Sequence, residues 1–363
     1  MKRFALLFLV ASVAHVAYAA EAAPTEKAVP LHVLAKARGI AFGTAVAARP
    51  LENDATYREV LAREFSMVTA ENELKWATAH PAEGKFNFAP ADRIVEFAEA
   101  HKMQLRGHTL CWNADRYLPK WLLARVFTRA EVETLLREHI RTVVGRYRGR
   151  IKYWDVVNEA VANDNRPGAA PLVNEFWSKH LGEDYIALAF RFAHEADPGA
   201  VLFYNDYDHG DALGAKSERI YGLLKKLLAA GVPVHGVGLQ MHCNLRKPPV
   251  REAVLANLKR LAALGLRVHI TELDVDIFGV PGSVEQRLAQ QATVYRDIVS
   301  AAVESKVCDA IVTWGFSDKF VQRGLNIRHK QPENAPTLLW LFNAEYRPKL
   351  SYAAVAEALR AGR

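Results

Sequence analysis

The sequence predicts an α/β protein, a single-domain (β/α)8 TIM barrel, on three observations. Short β-rich runs alternate eight times with longer amphipathic stretches along the 363 residues. Half of the residues are apolar, and no linker rich in Pro, Gly or Ser divides the chain. The polar residues that break the apolar pattern fall repeatedly at the ends of the short runs. Strand and helix repeated in this way build a parallel sheet covered by helices, and eight units close most naturally into a barrel. An open doubly wound sheet is the competing arrangement, but no glycine fingerprint follows the first run.

The runs lie near residues 39–45, 65–69, 103–109, 153–158, 201–205, 236–240, 267–271 and 310–314. Their Val, Ile, Phe, Tyr and Thr content suits strands buried on both faces. Between them stand helical patterns such as ADRIVEFAEAHK, EVETLLREHIRTVVGRY, DYIALAFRFAHEAD, RIYGLLKKLLAAG, REAVLANLKRLAALG and EQRLAQQATVYRDIVSAAVES. Apolar residues recur in these at three- and four-residue spacing, which places one stripe of each helix against the sheet.

The amino terminus stands outside this scheme. MKR followed by FALLFLVASVAHVAYAA is a basic head, an apolar run and a small-x-small end, the pattern of a secretory signal peptide over residues 1–19. Cleavage is expected after Ala19 or Ala20, with export to the periplasm or the medium. As an uncleaved anchor the run is interrupted by Ser12 and His15, and it is short for a bilayer span of ~20 residues. Residues 20–30 read as a short disordered lead, and residues 31–363 as the catalytic barrel. No membrane association is expected once the signal is removed.

The formal charge of +7 is spread among interspersed Lys, Arg, Asp and Glu, with no basic cluster of the kind that nucleic acid requires. Three cysteines, Cys111, Cys243 and Cys308, leave at least one unpaired. Buried free thiols are expected, with a Cys111 to Cys243 bridge as the alternative. Neither the cysteines nor the histidines have metal-ligand spacing, so no metal or cofactor is expected. A monomer is expected.

Two strings carry the chemistry. WDVVNEA at 154–160 and VHITELDVD at 268–276 each read as an apolar strand that stops at a glutamate, delivering Glu159 and Glu272 to one end of the sheet. In a barrel that end is the carboxyl-terminal face, where catalytic groups sit. Paired carboxylates flanking a sugar linkage serve as acid/base and nucleophile in retaining hydrolysis, or as acid and base in inverting hydrolysis. A glutamate after an apolar run is otherwise a strand terminus paired with an arginine. Glu272 and Asp274 are two apart on an extended segment and project to one side, within reach of His242 after the neighbouring run. Such a carboxylate, imidazole, carboxylate chain would keep Glu272 ionised as a nucleophile, while the apolar approach YWDVV suits Glu159 as the acid/base with a raised pKa. Trp76, Trp112 and Trp314 offer flat apolar faces for sugar rings, and Asn72, Lys75, Asn158 and Gln240 offer polar contacts to hydroxyls.

These residues resemble those of the family 10 glycoside hydrolases, chiefly endo-1,4-β-xylanases, over nearly the whole mature chain. FSMVTAENELKW, GKFNFAPADRIVEFA, LRGHTLCW, WDVVNEAV, FRFAHEADPGAVLFYNDYD, VHGVGLQMH, ITELDV and VTWGFSDK carry the resemblance in order. It implies Glu159 as acid/base and Glu272 as nucleophile of a retaining enzyme acting on xylan or xylo-oligosaccharides. It further implies that Glu71, Asn72, Lys75, His108, Trp112, Asn158, Gln240, His242 and Trp314 line the subsites beside the scissile bond. Asn205 and Tyr207 look like parts of the leaving-group side, and Asp274 looks like the residue orienting His242. The chain departs from the family at WNADRYLPKW, which puts Asn113 and Asp115 at usual His and Gln positions, and at Gln322, where a lid tryptophan is usual. Changed specificity, toward short or decorated xylo-oligosaccharides, is the expectation. A related retaining β-1,4-glucanase or aryl β-glycosidase is the enzymatic alternative, and an inactive carbohydrate-binding barrel the alternative from another class.

Overall fold

The computed structural model describes residues 29–163, 170–208, 210, 214–320, 330 and 337–361. The expected signal peptide, residues 20–28 of the expected lead, and Gln322 lie outside the described residues.

The strands are β1 (Ala41–Val46), β2 (Met67–Ala70), β3 (Gln104–Trp112), β4 (Tyr153–Asn158), β5 (Val201–Asp206), β6 (Gly236–Leu239), β7 (His242–Asn244), β8 (Arg267–Asp276) and β9 (Cys308–Thr313). All pairings are parallel, as strand–helix–strand crossovers require. β9 pairs with β1 and β6 pairs with β8, which closes an eight-stranded barrel and leaves β7 as a short addition on its rim.

Each expected run is a strand, but two extend further than the sequence suggests. β8 does not stop at Glu272. It continues to Asp276 because β7 supplies hydrogen-bond partners above the barrel, pairing His242 with Asp274. β3 reaches Trp112 because, after a register shift, Cys111 and Trp112 pair with Val157 and Asn158 of β4.

The strands bury both faces. Inside the barrel, Met67, Tyr153, Phe203, Ala310 and Val312 pack together at its amino-terminal end. Outside, a larger core joins strands to helices. The helix Arg129–Arg146 shows how this is specified. Thr128 and Glu131 form a capping box at its start, and Val132, Leu136, Ile140, Val143 and Val144 form the buried stripe. Burying such a side chain contributes roughly 1.5–3 kcal/mol. Ser283 and Gln286 cap the helix Val284–Ser305 in the same way. The seam between chain ends is fastened by Glu64, which accepts from Leu31 N at 3.1 Å and Tyr352 Oη at 3.0 Å. Gly238 is required on β6, since a Cβ there would lie 2.2 Å from Asn205 Oδ1 and 2.8 Å from Thr271 Cγ2. No disulfide joins any of the three cysteines.

Candidate active site

Glu159 directly follows β4 and takes a left-handed backbone conformation, φ 56°. For a residue other than glycine this costs about 1–3 kcal/mol, and it turns the side chain off the strand line into the barrel mouth. The conformation is held by the Glu159 N–H, which donates to Asn205 O at 2.9 Å. Glu159 Oε1 accepts from Gln240 Nε2 at 3.0 Å and Asn158 Nδ2 at 3.1 Å, while Oε2 accepts from Trp112 Nε1 at 3.1 Å. Burial raises the carboxyl above its ordinary value, the Gln240 hydrogen bond offsets part of that, and the charge on Glu272 adds to it.

Glu272 lies within β8 and is 4% exposed. Oε1 accepts from Asn205 Nδ2 at 2.7 Å, and Oε2 is 3.0 Å from His242 Nε2. The other His242 nitrogen, Nδ1, is 2.9 Å from Asp274 Oδ2. Burial alone would raise the Glu272 carboxyl, but the His242 hydrogen bond, the nearby His108 and the Asn205 amide prevail and lower it to about 2. Burial disfavours charge on His242, yet Asp274 and Glu272 outweigh it and move the imidazole well above its ordinary value. His242 is therefore an imidazolium donating to both carboxylates. The two glutamates thus have divergent acidities, the arrangement that assigns acid and base roles.

The side chains beneath this pair form one connected layer. Asn205 Nδ2 also donates to Asn158 Oδ1 at 2.9 Å, and Asn205 Oδ1 accepts from Thr271 Oγ1 at 2.7 Å. Asn158 and Asn205 are fully buried, so they link Glu272 to Glu159 from within the barrel. His108 Nδ1 lies 3.0 Å from Asp155 Oδ2 and 3.9 Å from Glu272 Oε1. Asp155 is paired in turn with Arg106, whose Nη1 is 3.0 Å from His269 Nδ1. Arg106, Asp155 and His269 were not picked out from sequence, because they lie inside strands rather than at strand ends. The one available signal was a charged residue within an apolar run: Asp155 in YWDVV and Arg106 in QLRGH.

Across the cleft, Lys75 Nζ donates to Asn72 Oδ1 at 3.0 Å and lies 5.3 Å from the Trp112 ring, 5.6 Å from Tyr117 and 5.7 Å from Trp314. Burial raises the neighbouring Glu71 carboxyl, against the pull of Lys75. Trp314 is partly buried, edge-on to His108 at 5.2 Å and to His242 at 6.4 Å. Tyr207 Oη accepts from Asn163 Nδ2 at 2.6 Å. Trp76 belongs to the core and not to a sugar platform, being 2% exposed and stacked on His139 at 3.6 Å.

Asn113 and Asp115, at the usual His and Gln positions, bind neighbouring backbone. Their side chains turn away from the carboxylates and bind the segment after β4. Asn113, 1% exposed, donates to Val173 O at 2.6 Å and accepts from Trp177 N at 2.9 Å. Asp115 Oδ1 accepts from Phe176 N at 2.8 Å. The altered loop is therefore braced onto Val173 and the start of the helix Phe176–Leu181. Among the described residues, no group of three or more His, Cys, Asp or Glu side chains could hold a metal ion.

A (β/α)8 barrel with one readily protonated and one ionised glutamate at the carboxyl ends of its strands has the equipment of a glycoside hydrolase. The chain belongs to Glycosyl hydrolase family 10, whose profile matches residues 30–358. It is 41% identical over 294 residues to endo-1,4-beta-xylanase B of Thermotoga neapolitana, covering 80% of this chain and 82% of that protein. The crystal structure of native xylanase 10B from Thermotoga maritima superposes with a TM-score of 0.83 at 39% identity, covering 91% of this chain and 98% of that one. Xylanase 10B from Thermotoga petrophila RKU-1, solved in complex with xylobiose, gives the same TM-score of 0.83 at 38% identity, covering 93% and 98%.

Proposed function

We propose that this protein is an exported retaining endo-1,4-β-xylanase that cleaves internal β-1,4-xylosidic bonds by double displacement. The observation that carries the reading is the divergent acidity of the two buried glutamates, Glu159 raised and Glu272 lowered to about 2. In the first step Glu272 attacks the anomeric carbon, the bond to the leaving oxygen breaks, and Glu159 gives its proton to that oxygen. In the second, Glu159 takes a proton from water, which displaces Glu272 from the glycosyl-enzyme. His242, held by Asp274, keeps Glu272 ionised for the attack. Lys75, Asn72, Gln240, Asn158 and Trp314 stand around the carboxylates as the groups to meet sugar hydroxyls and ring faces.

Xylan as substrate is supported by the names of the relatives and by the xylobiose held in the Thermotoga petrophila structure. Export is supported by residues 1–20 of the sequence. The test is the time course of products from xylan, with the anomeric form of the first product followed by NMR. Initial release of β-product is expected. Initial α-product would make the enzyme inverting, and preferential hydrolysis of a β-1,4-glucan would move the substrate class.

A further inference from the structure

We propose that Tyr117 is a positioning residue for Glu159, acting through Trp112; the inference rests on the reading of Glu159 as the acid/base. Trp112 ends β3, and its Nε1–H donates to Glu159 Oε2 at 3.1 Å. An indole has a single N–H, so the direction of that bond is set entirely by the orientation of the ring. The Trp112 ring is stacked by Tyr117 with centroids 3.9 Å apart and planes 16° from parallel. Trp112 is 9% exposed and Tyr117 is 36% exposed, so the phenol forms the layer between the indole and solvent.

Tyr117 is in turn held in place. It ends the short helical turn Asp115–Tyr117, and both sides of that turn's start are anchored. Asp115 Oδ1 accepts from Phe176 N at 2.8 Å, and the Asp115 N–H donates to the Glu175 carboxylate. Asn113 accepts from Trp177 N at 2.9 Å. The Arg116 guanidinium lies 4.8 Å from the Tyr117 ring centroid. The loop that departs from the family pattern thus presses a ring against the residue that aims the acid. With the stack removed, the indole keeps Lys75 5.3 Å from its ring and His108 at its edge, but loses the parallel face that fixes its tilt, and water gains access to Glu159 Oε2. Misplacing a reacting group by about 1 Å costs up to ~10²-fold in rate.

The role is read from leaving-group dependence. Two aryl β-xylobiosides share one glycone, but the 2,4-dinitrophenyl group departs without a proton and the phenyl group needs one. For Tyr117→Ala, kcat/KM on the phenyl substrate should fall roughly tenfold, a fraction of the ~10²–10⁴ that a general acid supplies. On the dinitrophenyl substrate it should stay within about twofold. Tyr117→Phe, which keeps the stacking face, should restore the phenyl rate, and Tyr117→Leu, which keeps apolar cover without a flat face, should not. Equal losses on both substrates would make Tyr117 a sugar contact or a merely structural residue, and an unchanged phenyl rate in the Ala and Leu variants would remove the role. Glu159→Ala in the same assay must lose the phenyl substrate selectively. If it does not, the acid/base reading of Glu159 fails, whatever Tyr117 does.

Discussion

His242 meets Glu272 at 3.0 Å through Nε2 while its Nδ1 meets Asp274 at 2.9 Å, so one imidazolium serves two carboxylates. If Glu272 is the nucleophile as proposed, this pair sets the acid limit of the activity. Glu272 titrates at about 2 against an ordinary 4.5, so it is ionised over the working range, and the stability that its ionised form contributes is present above about 4.5 and lost as pH falls through 2. Replacing His242 by alanine leaves the upward push of burial opposed only by the remaining groups. The acid limb of the kcat/KM profile should then move to higher pH, with roughly 10- to 100-fold lower activity at neutral pH. An acid limb that stays where it was would show that His242 does not control Glu272.

Azide separates the two glutamates. Glu272→Ala should lose on the order of 10⁴-fold or more in kcat on an activated aryl xyloside, and added azide should form the α-azide by a single displacement. Glu159→Ala should form its glycosyl-enzyme from the same substrate and release the β-azide. NMR of the azide products checks both, and identical anomers from the two variants would contradict the assignment.

The brace formed by Asn113 should govern stability before chemistry. Its buried amide serves Val173 O and Trp177 N; Val173 O also accepts from Ser178 Oγ at 2.8 Å, so Asn113→Ala leaves the Trp177 N–H short of its acceptor. A cost of about 1–3 kcal/mol is expected, the penalty for one buried donor left unsatisfied. Urea unfolding measures it. Asn113→Asp, which retains the acceptor for Trp177, should cost less.

Acid should weaken the fold through buried histidines outside the carboxylate pair. His139 is fully buried between Trp76 and His80, and burial, with the neighbouring His80, lowers its pKa well below 6.5. The folded chain therefore keeps this imidazole neutral while the unfolded chain takes up its proton. Stability is complete above about pH 6.5 and declines below it, by up to about 1.4 kcal/mol per pH unit for the group. His139→Phe, which keeps the stacked ring, should flatten that decline. Chemical denaturation at a series of pH values between 4 and 7 would detect an unchanged slope.

Much of this molecule was legible before its structure, for reasons that particular residues make plain. The alternation of strand and helix needs only local periodicity, and it placed all eight barrel strands. Glu159, Glu272 and Asp274 stood out because a carboxylate at the end of an apolar run violates the pattern that surrounds it. The extension of β8 was hidden because its partner, β7, is a three-residue strand whose pairing depends on a neighbouring turn. Arg106 and Asp155 were passed over because they neutralise each other 49 residues apart inside the barrel, a pairing no local spacing reveals. The Trp112 to Tyr117 stack required the path of a loop whose anchors lie at the start of the helix Phe176–Leu181.

The chain of side chains between the two glutamates is made of amides. Asn158, Asn205 and Gln240 tie Glu159 to Glu272 in position, yet none of them gains or loses a proton at any pH the protein survives. The linkage is mechanically continuous and protonically insulating. Under the proposed roles, a proton on Glu159 has no titratable stepping stone along that path to the anion at Glu272, so these contacts do not carry it there. A bridging histidine or carboxylate would short-circuit the two groups. By this argument Asn205→Asp would preserve the shape of the link while destroying the separation of charge on which the two roles depend.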